Sequence, residues 1–164
     1  MKALACTLLV ACGGDSGGMM MTMVDAPANQ SALQFCVQET NRYRTTVPAP
    51  GAGAPRAQVT ESTSLESYAA TGAMYDFTNG PHAHFQSNGG GGIAFAENEC
   101  PQQGNWTISS GQDEKTVVGA CLMAFYSEGP GGGHYENMMG NYGTLGCGLY
   151  SNGGKITIVQ DYGM

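Results

Sequence analysis

Positive charge is the first thing this sequence has little of. Its 164 residues include six Lys and Arg against thirteen Asp and Glu, a formal net charge of -7. The six are Lys2, Arg42, Arg44, Arg56, Lys115 and Lys155, and they form no basic stripe. A nucleic-acid partner needs cations that displace counterions from phosphates, so that partner class is disfavoured. Electrostatic docking on anionic lipid falls on the same ground. Charged residues of both signs make up 12%, against about 25% in an ordinary domain, which argues against a charge-rich disordered chain. No apolar run approaches the ~20 residues of a membrane-spanning helix, and no G-X-Y period points to collagen. C-x-x-C pairs are absent, so neither a zinc ribbon nor a thioredoxin-type site is suggested. Neither the G-x-S-x-G elbow nor the H-E-x-x-H zinc helix occurs.

What is present is glycine, cysteine and enough apolar residues for one core. The 26 glycines are roughly twice the ~7% share usual in globular chains. Hydrophobic residues reach 41%, and the length suits one domain. Residues 1–11 read as an export signal: Lys2 gives a minimal positive start, and Ala3 to Ala11 is a short apolar run. Leu9-Val10-Ala11-Cys12 is similar to a bacterial lipobox, which makes Cys12 a candidate for lipidation. Residues 12–30 then read as a flexible linker, with four glycines just after Cys12. Cleavage before Cys12 would leave five bases against thirteen acids, a charge of -8, and four cysteines besides Cys12: Cys36, Cys100, Cys121 and Cys147. An even number in an exported chain implies two disulfides, with three connectivities open.

Residues 31–164 read as the folded domain. Leu33, Cys36, Val37, Thr40 and Arg44 share one face of a helix over 31–44, with Ser31 as N-cap. Prolines and glycines make 47–55 a loop. A second helix spans 61–76, with Thr63-x-x-Glu66 in capping-box form and a stripe of Leu65, Tyr68, Ala69, Gly72 and Ala73. An irregular Gly-rich stretch covers 78–92, and a short strand is expected at 93–97. A third helix over 112–126 buries Val118, Cys121, Leu122 and Phe125; its start carries Asp113 and Glu114, which suit a positive helix end. One or two helical turns at 134–139 precede a hairpin of 144–150 and 155–162, turning at Ser151-Asn152-Gly153-Gly154. Helices followed by a terminal hairpin, with no βαβ rhythm, make the class α+β.

Seven short motifs in order carry a resemblance. They are Asn41-Arg42-Tyr43-Arg44, Leu65 to Ala69, Ala96-Glu97-Asn98, Phe125 to Glu128, Gly133 to Met139, Leu145 to Gly148, and Ile158 to Tyr162. They resemble "HN-x-YR", "L-x-x-x-A", "GEN", "W-x-x-E", "GHYTQVVW", "VGCG" and "VVCNY" of the CAP superfamily: cysteine-rich secretory proteins, antigen 5 and pathogenesis-related proteins, also called SCP domains. The match is collinear over 32–163. Gly140 stands where many members have Trp, and Gln160 where many have Cys. The short loop between Glu128 and His134 is similar to that of some bacterial members. The resemblance implies an α-β-α sandwich with a three-stranded antiparallel sheet between helical layers.

It also implies a cleft lined by two His and two Glu, carried over as His84, Glu97, Glu128 and His134. His82 is the rival to His84. In an extended stretch both would point to one face, and the family's usual separation favours His84. Imidazole nitrogens and carboxylates suit zinc, which is the candidate cofactor. Four protein ligands would close a tetrahedral zinc; two imidazoles plus water, each oriented by a carboxylate, is the other arrangement. A metal-free cluster in which these groups pair with one another and pin the loops is the plain structural alternative. Glu99 and Glu136 are further candidates, with Glu136 expected on a solvated surface; Tyr135 is expected to pack, and Asn41 and Asn98 to bond backbone.

The leading functional expectation is a secreted or cell-envelope binding module, monomeric, with a small apolar molecule, a glycan or a protein as ligand. It would touch a membrane only through a lipid anchor. Lipid or sterol binding is what the resemblance adds. The rival is a hydrolase, for which Ser87 and Ser127 lie near the motifs and would have to approach an imidazole. A purely structural envelope protein is the third reading.

Overall fold

A computed structural model describes residues 31–46 and 55–164. The expected signal segment, the linker with Cys12 and most of the 47–55 loop lie outside the described residues.

Among the described residues, five α-helices and four strands follow one another as α1 (Ala32–Thr46), β1 (Thr60–Glu61), α2 (Thr63–Asn79), α3 (Ala83–Asn88), β2 (Ala96–Cys100), α4 (Glu114–Ser127), α5 (Gly133–Met138), β3 (Thr144–Asn152) and β4 (Lys155–Gly163). Ser31 caps α1, its Oγ accepting from the Gln34 N–H at 3.1 Å. The cap of α2 is Ser62 rather than the Thr63 of the capping-box reading. Ser62 holds the extended backbone that an N-cap requires and accepts from the Leu65 N–H, whereas Thr63 is already helical. Asp113 caps α4 by accepting from the Lys115 N–H.

The sheet runs β1-β3-β4-β2. β3 and β4 form the expected antiparallel hairpin, and β2 pairs antiparallel with β4. The two-residue β1 adds a parallel fourth strand beside β3, so the sheet is mixed rather than three-stranded and purely antiparallel. Gly153 and Gly154 make the hairpin turn with φ of +58° and +76°, the positive values that a tight two-residue hairpin demands.

Side chains alternate across these strands. Leu145, Cys147, Ile156, Ile158 and Tyr162 belong to one core with Phe35, Cys36, Tyr43, Val118, Cys121, Leu122 and Phe125, between the sheet and α1 and α4. On the opposite face Val159 packs with Ala69 and Ala73 of α2. There α2 lies so close that a Cβ on Gly146 would strike the Leu65 backbone, and one on Gly148 the Ala69 backbone. The architecture is the α-β-α sandwich expected for an α+β chain. Two disulfides select one of the three connectivities: Cys36–Cys147 ties α1 to β3, and Cys100–Cys121 ties β2 to α4. No helix among the described residues is long and apolar enough to cross a membrane.

The stretch 78–92 departs most from expectation. It holds α3 and a 3-10 turn at Gly89–Gly92, with all four glycines at positive φ. β2 therefore starts at Ala96 and runs to Cys100, three residues beyond the expected start and end.

Candidate functional site

The site gathers along β2, an edge strand of the sheet. Glu97 and Glu99 alternate with Ala96, Asn98 and Cys100. They emerge on the same face as Asp161, which is the cross-strand partner of Glu97. α2 contributes Asp76 to that face, and the segment between α2 and β2 contributes His82 and His84.

His82 and His84 do not share a face. His82 sits at the N-cap of α3 with φ +59°, and His84 lies one residue into the helix. Two residues apart at a helix start diverge, where two in an extended strand would align. His82 Nδ1 bonds Glu97 Oε1 at 2.8 Å, and its backbone N–H donates to Glu99 Oε2 at 2.5 Å. His84 turns toward α2: its N–H donates to Asp76 Oδ1 at 2.6 Å, and its ring packs on Tyr68 and Tyr75 at 4.6 and 5.9 Å. His84 Nδ1 and Glu97 Oε2 both border Gly72. Glu97 thus has His82 on one oxygen, and the other is directed to the His84 side.

The second pair comes from the other layer. Glu128 ends α4 and His134 begins α5, six residues later. Glu128 Oε1 bonds His134 Nδ1 at 2.5 Å, and Glu128 Oε2 accepts the His134 N–H at 3.0 Å. The His134 ring stacks on Phe125 at 4.6 Å and faces the His82 ring at 6.4 Å. Asn98 and Asn137 fasten this loop to β2: Asn98 Nδ2 donates to His134 O, and Asn137 Nδ2 to Glu97 O. Asn41 likewise bonds backbone, at Val59, and Tyr135 is buried in the core. Glu136 is exposed in the first turn of α5 and accepts from the Gly131 N–H.

The structure thus brings together His82, Glu97, Glu128 and His134, with His84 behind Glu97. The side chains of His82 and His134 are 31% and 33% exposed, and that of Glu97 is 1% exposed, so both imidazoles meet solvent above a buried carboxylate. Sequence reasoning missed the depth of the acid layer. Glu99 is 2% exposed, and Asp76 and Asp161 are fully buried. Alternation along β2 would have placed Glu99 beside Glu97, had the strand been drawn past Glu97.

Burial governs the ionisation here. It raises Asp161 to about 9, aided by the charge of Glu97, a hydrogen bond with it, and the charges of Asp76 and Glu99. It raises Glu99 to about 7 against the opposing His82 N–H bond, and it raises Asp76 also. The Glu97 hydrogen bond lifts His82 above its usual value, opposed by burial. At Glu128 burial pushes upward, but the bonds to His134 outweigh it and the carboxyl lies below its ordinary range. Asp76 Oδ2, His84 Nδ1 and Glu99 Oε1 are buried without a hydrogen-bond partner, while protonated Asp161 shares a hydrogen bond with Glu97. His82, Glu97 and Glu99 each offer a ligand atom within 4.8 Å of the others, a set that could hold a metal ion.

Comparison with known proteins settles the family. The family model "CAP: Cysteine-rich secretory protein family" matches residues 37–162. The chain belongs to this family. Among solved structures, the CAP protein described here is similar to Na-ASP-1, at 17% identity and TM-score 0.57, covering 87% of this chain and 43% of that one. It thus spans less than half of Na-ASP-1. It is also similar to the protein of "Crystal structure of NaASP2 with Zn2+", at 20% identity and TM-score 0.53, covering 85% and 84%. At these identities the likeness is one of fold. No curated protein matches significantly.

Proposed function

We propose that this CAP protein is an exported binding module whose cleft holds a divalent cation, zinc foremost, between the imidazoles of His82 and His134. One observation carries the reading: each imidazole has its Nδ1 tied to its own glutamate, at 2.8 and 2.5 Å, and the two rings face each other. A neutral imidazole that donates from Nδ1 keeps its lone pair on Nε2, and a carboxylate on the far nitrogen both fixes that tautomer and strengthens the ligand. Glu97 and Glu128 thereby act as orienting groups, and His82 takes the place that the sequence resemblance gave to His84. The crystal structure of NaASP2 with Zn2+ agrees with this choice of ion. Two disulfides suit an oxidising compartment and support export; the signal segment and a lipid on Cys12 are part of the same proposal.

Binding is favoured over hydrolysis by where the serine hydroxyls go. Ser87 Oγ donates to His84 O and Ser127 Oγ to Met123 O, so neither is activated by an imidazole. The organic or protein ligand is proposed to reach the cation through the solvent-facing edges of the two histidines.

Zinc titration of the purified, oxidised domain by calorimetry tests this. One zinc of modest affinity is expected, weakened at least tenfold by His82→Ala and by His134→Ala and changed less than twofold by His84→Ala. The affinity falls at lower pH, as protons compete with the ion for the imidazole nitrogens. No heat at millimolar zinc, or equal loss in His84→Ala, overturns it.

A further inference from the structure

The β1 edge of the sheet has one position that nothing in the fold completes. Thr60 N–H donates to Gly143 O, and Ser62 N–H donates to Leu145 O. The residue between them, Glu61, therefore turns its N–H and C=O away from β3. Two residues earlier the same outward position is filled. There the Asn41 side chain of α1 accepts from the Val59 N–H at 2.8 Å and donates to Val59 O at 2.9 Å. That exchange of two bonds is what a neighbouring strand would make. At Glu61 no group among the described residues does the same.

A groove of about 550 Å³ runs along this edge, with Gln34, Gln38, Asn41 and Thr45 of α1 on one side and Gln58 and Glu61 on the other. Arg44 Nε donates to Ala57 O, and Asn41 pairs with Val59, so α1 and residues 57–61 run antiparallel. Gln34, Gln38 and Glu61 then share one end of the groove. From Gln34 to Thr45 the helix rises ~16 Å, the length of roughly five extended residues.

The lining narrows the class of ligand. Arg42 reaches the groove, but Glu39 holds its guanidinium in two bonds of 2.8 and 2.6 Å, so its charge is already met and an anion gains little there. None of the residues that line the groove is aromatic, so the apolar face of a sugar ring finds no ring to stack on. Glu61 also stands beside Glu66. Burial raises Glu66, and a hydrogen bond with Glu61 and the charge of Glu61 raise it further. A basic side chain placed there would relieve this pair of like charges.

We propose that the groove binds an extended peptide that adds to the β1 edge at Glu61 and carries a lysine or arginine beside Glu61 and Glu66. One peptide residue exchanges two backbone bonds with Glu61, as in other strand additions to a sheet edge. The carboxamides of Gln34 and Gln38 each offer donors and an acceptor to the flanking peptide groups. Asn41 already occupies the edge at Val59 and ends the pairing there. β1 and β2 are the two opposite edges of the sheet, so this site is separate from the histidine cleft and does not rest on the zinc reading.

The test is a nuclear magnetic resonance titration of the full, oxidised, nitrogen-15-labelled chain. The probe is a blocked pentapeptide of alternating valine and threonine with lysine at one end, made in both orientations. At least one orientation is expected to shift the amide signals of Gln38 and Glu61 in a saturable way. Methylating its three central backbone nitrogens removes the donors and weakens binding at least tenfold. Glutamate in place of the lysine weakens binding at least fivefold, and Glu61→Gln with Glu66→Gln reduces that preference to less than twofold. Gln34→Ala with Gln38→Ala changes two exposed residues; it weakens binding at least fivefold while the rest of the spectrum stays native. His134→Ala leaves binding within twofold. No saturable shift in either orientation, equal binding of the methylated peptide, or shifts centred on His82 and His134 overturn the site. A lysine preference that survives the double glutamine variant overturns the placement of the basic residue.

Discussion

Toward α1 and α4, the sheet presents Leu145, Cys147, Ile156, Ile158 and Tyr162; toward α2, the same strands present Gly146, Gly148, Val159 and Asp161. The first face is a packed apolar core, and the polar groups within it are paired. Gln160 donates to Thr40 Oγ1 at 2.7 Å and accepts from Tyr162 Oη at 2.9 Å. Buried Arg44 donates to the carbonyls of Ala57, Met138 and Gly140. The second face has small residues that let a helix approach, and then a layer of buried acids. The buried side-chain atoms lacking a partner among the described residues, on Asp76, His84 and Glu99, belong to this side. A sheet can thus put an apolar core on one surface and a layer of buried acids on the other, because alternation separates them at every residue.

The sharpest break of that contrast is the removal of Cys36–Cys147 by the double change to Ala. The bridge joins residues 111 apart in sequence, so its loss is expected to cost about 4–5 kcal/mol, read as a shifted midpoint in urea unfolding. A loss below about 1 kcal/mol would show that the apolar face does not rely on the bridge. Next comes Gly148→Ala. The added methyl meets the Ala69 backbone, and about 3 kcal/mol of destabilisation is expected; an unchanged melting temperature would mean that α2 is not seated as described.

The acid face predicts the pH response of the metal-free domain. Asp161 near 9 and Glu99 near 7 lie above their unfolded values. The folded chain then holds protons that the unfolded chain has released, so stability is greatest below about pH 4 for these groups and falls as pH rises toward 9. A drop of roughly 5 °C in Tm between about pH 5 and pH 9 is expected, and Asp161→Asn should flatten it. A Tm that rises over this range refutes the account. The smallest effect is that of His84→Ala on zinc affinity, less than twofold by calorimetry. A tenfold loss there would move His84 from the back of Glu97 into the proposed zinc site.

Much of this was legible in the chain. The stripes on α1, α2 and α4 gave their buried faces directly, because a helical period samples one surface. The Glu128–His134 pair was legible too, since six residues and a glycine run bring the two together locally. The choice between His82 and His84 was not, because it depends on whether the backbone there is extended or helical, and the left-handed turn at His82 decides that. Asp76 and Asp161 were read only as a helix end and as part of a strand motif. Their meeting at Glu97 depends on the β2–β4 register and on how closely α2 lies on the sheet.

Sequence by itself determined the α+β class, the family, the four domain cysteines and the four short motifs that supply Glu97, Glu128, His134 and the histidine pair at 82 and 84. These follow from periodicity and from residues fixed in order along the chain. Only the tertiary structure decided which histidine faces His134, which cysteines join, and that Glu99 and Asp161 are buried beside Glu97. Each of those is a contact between segments distant in sequence, set by strand register and helix packing, which no local pattern encodes.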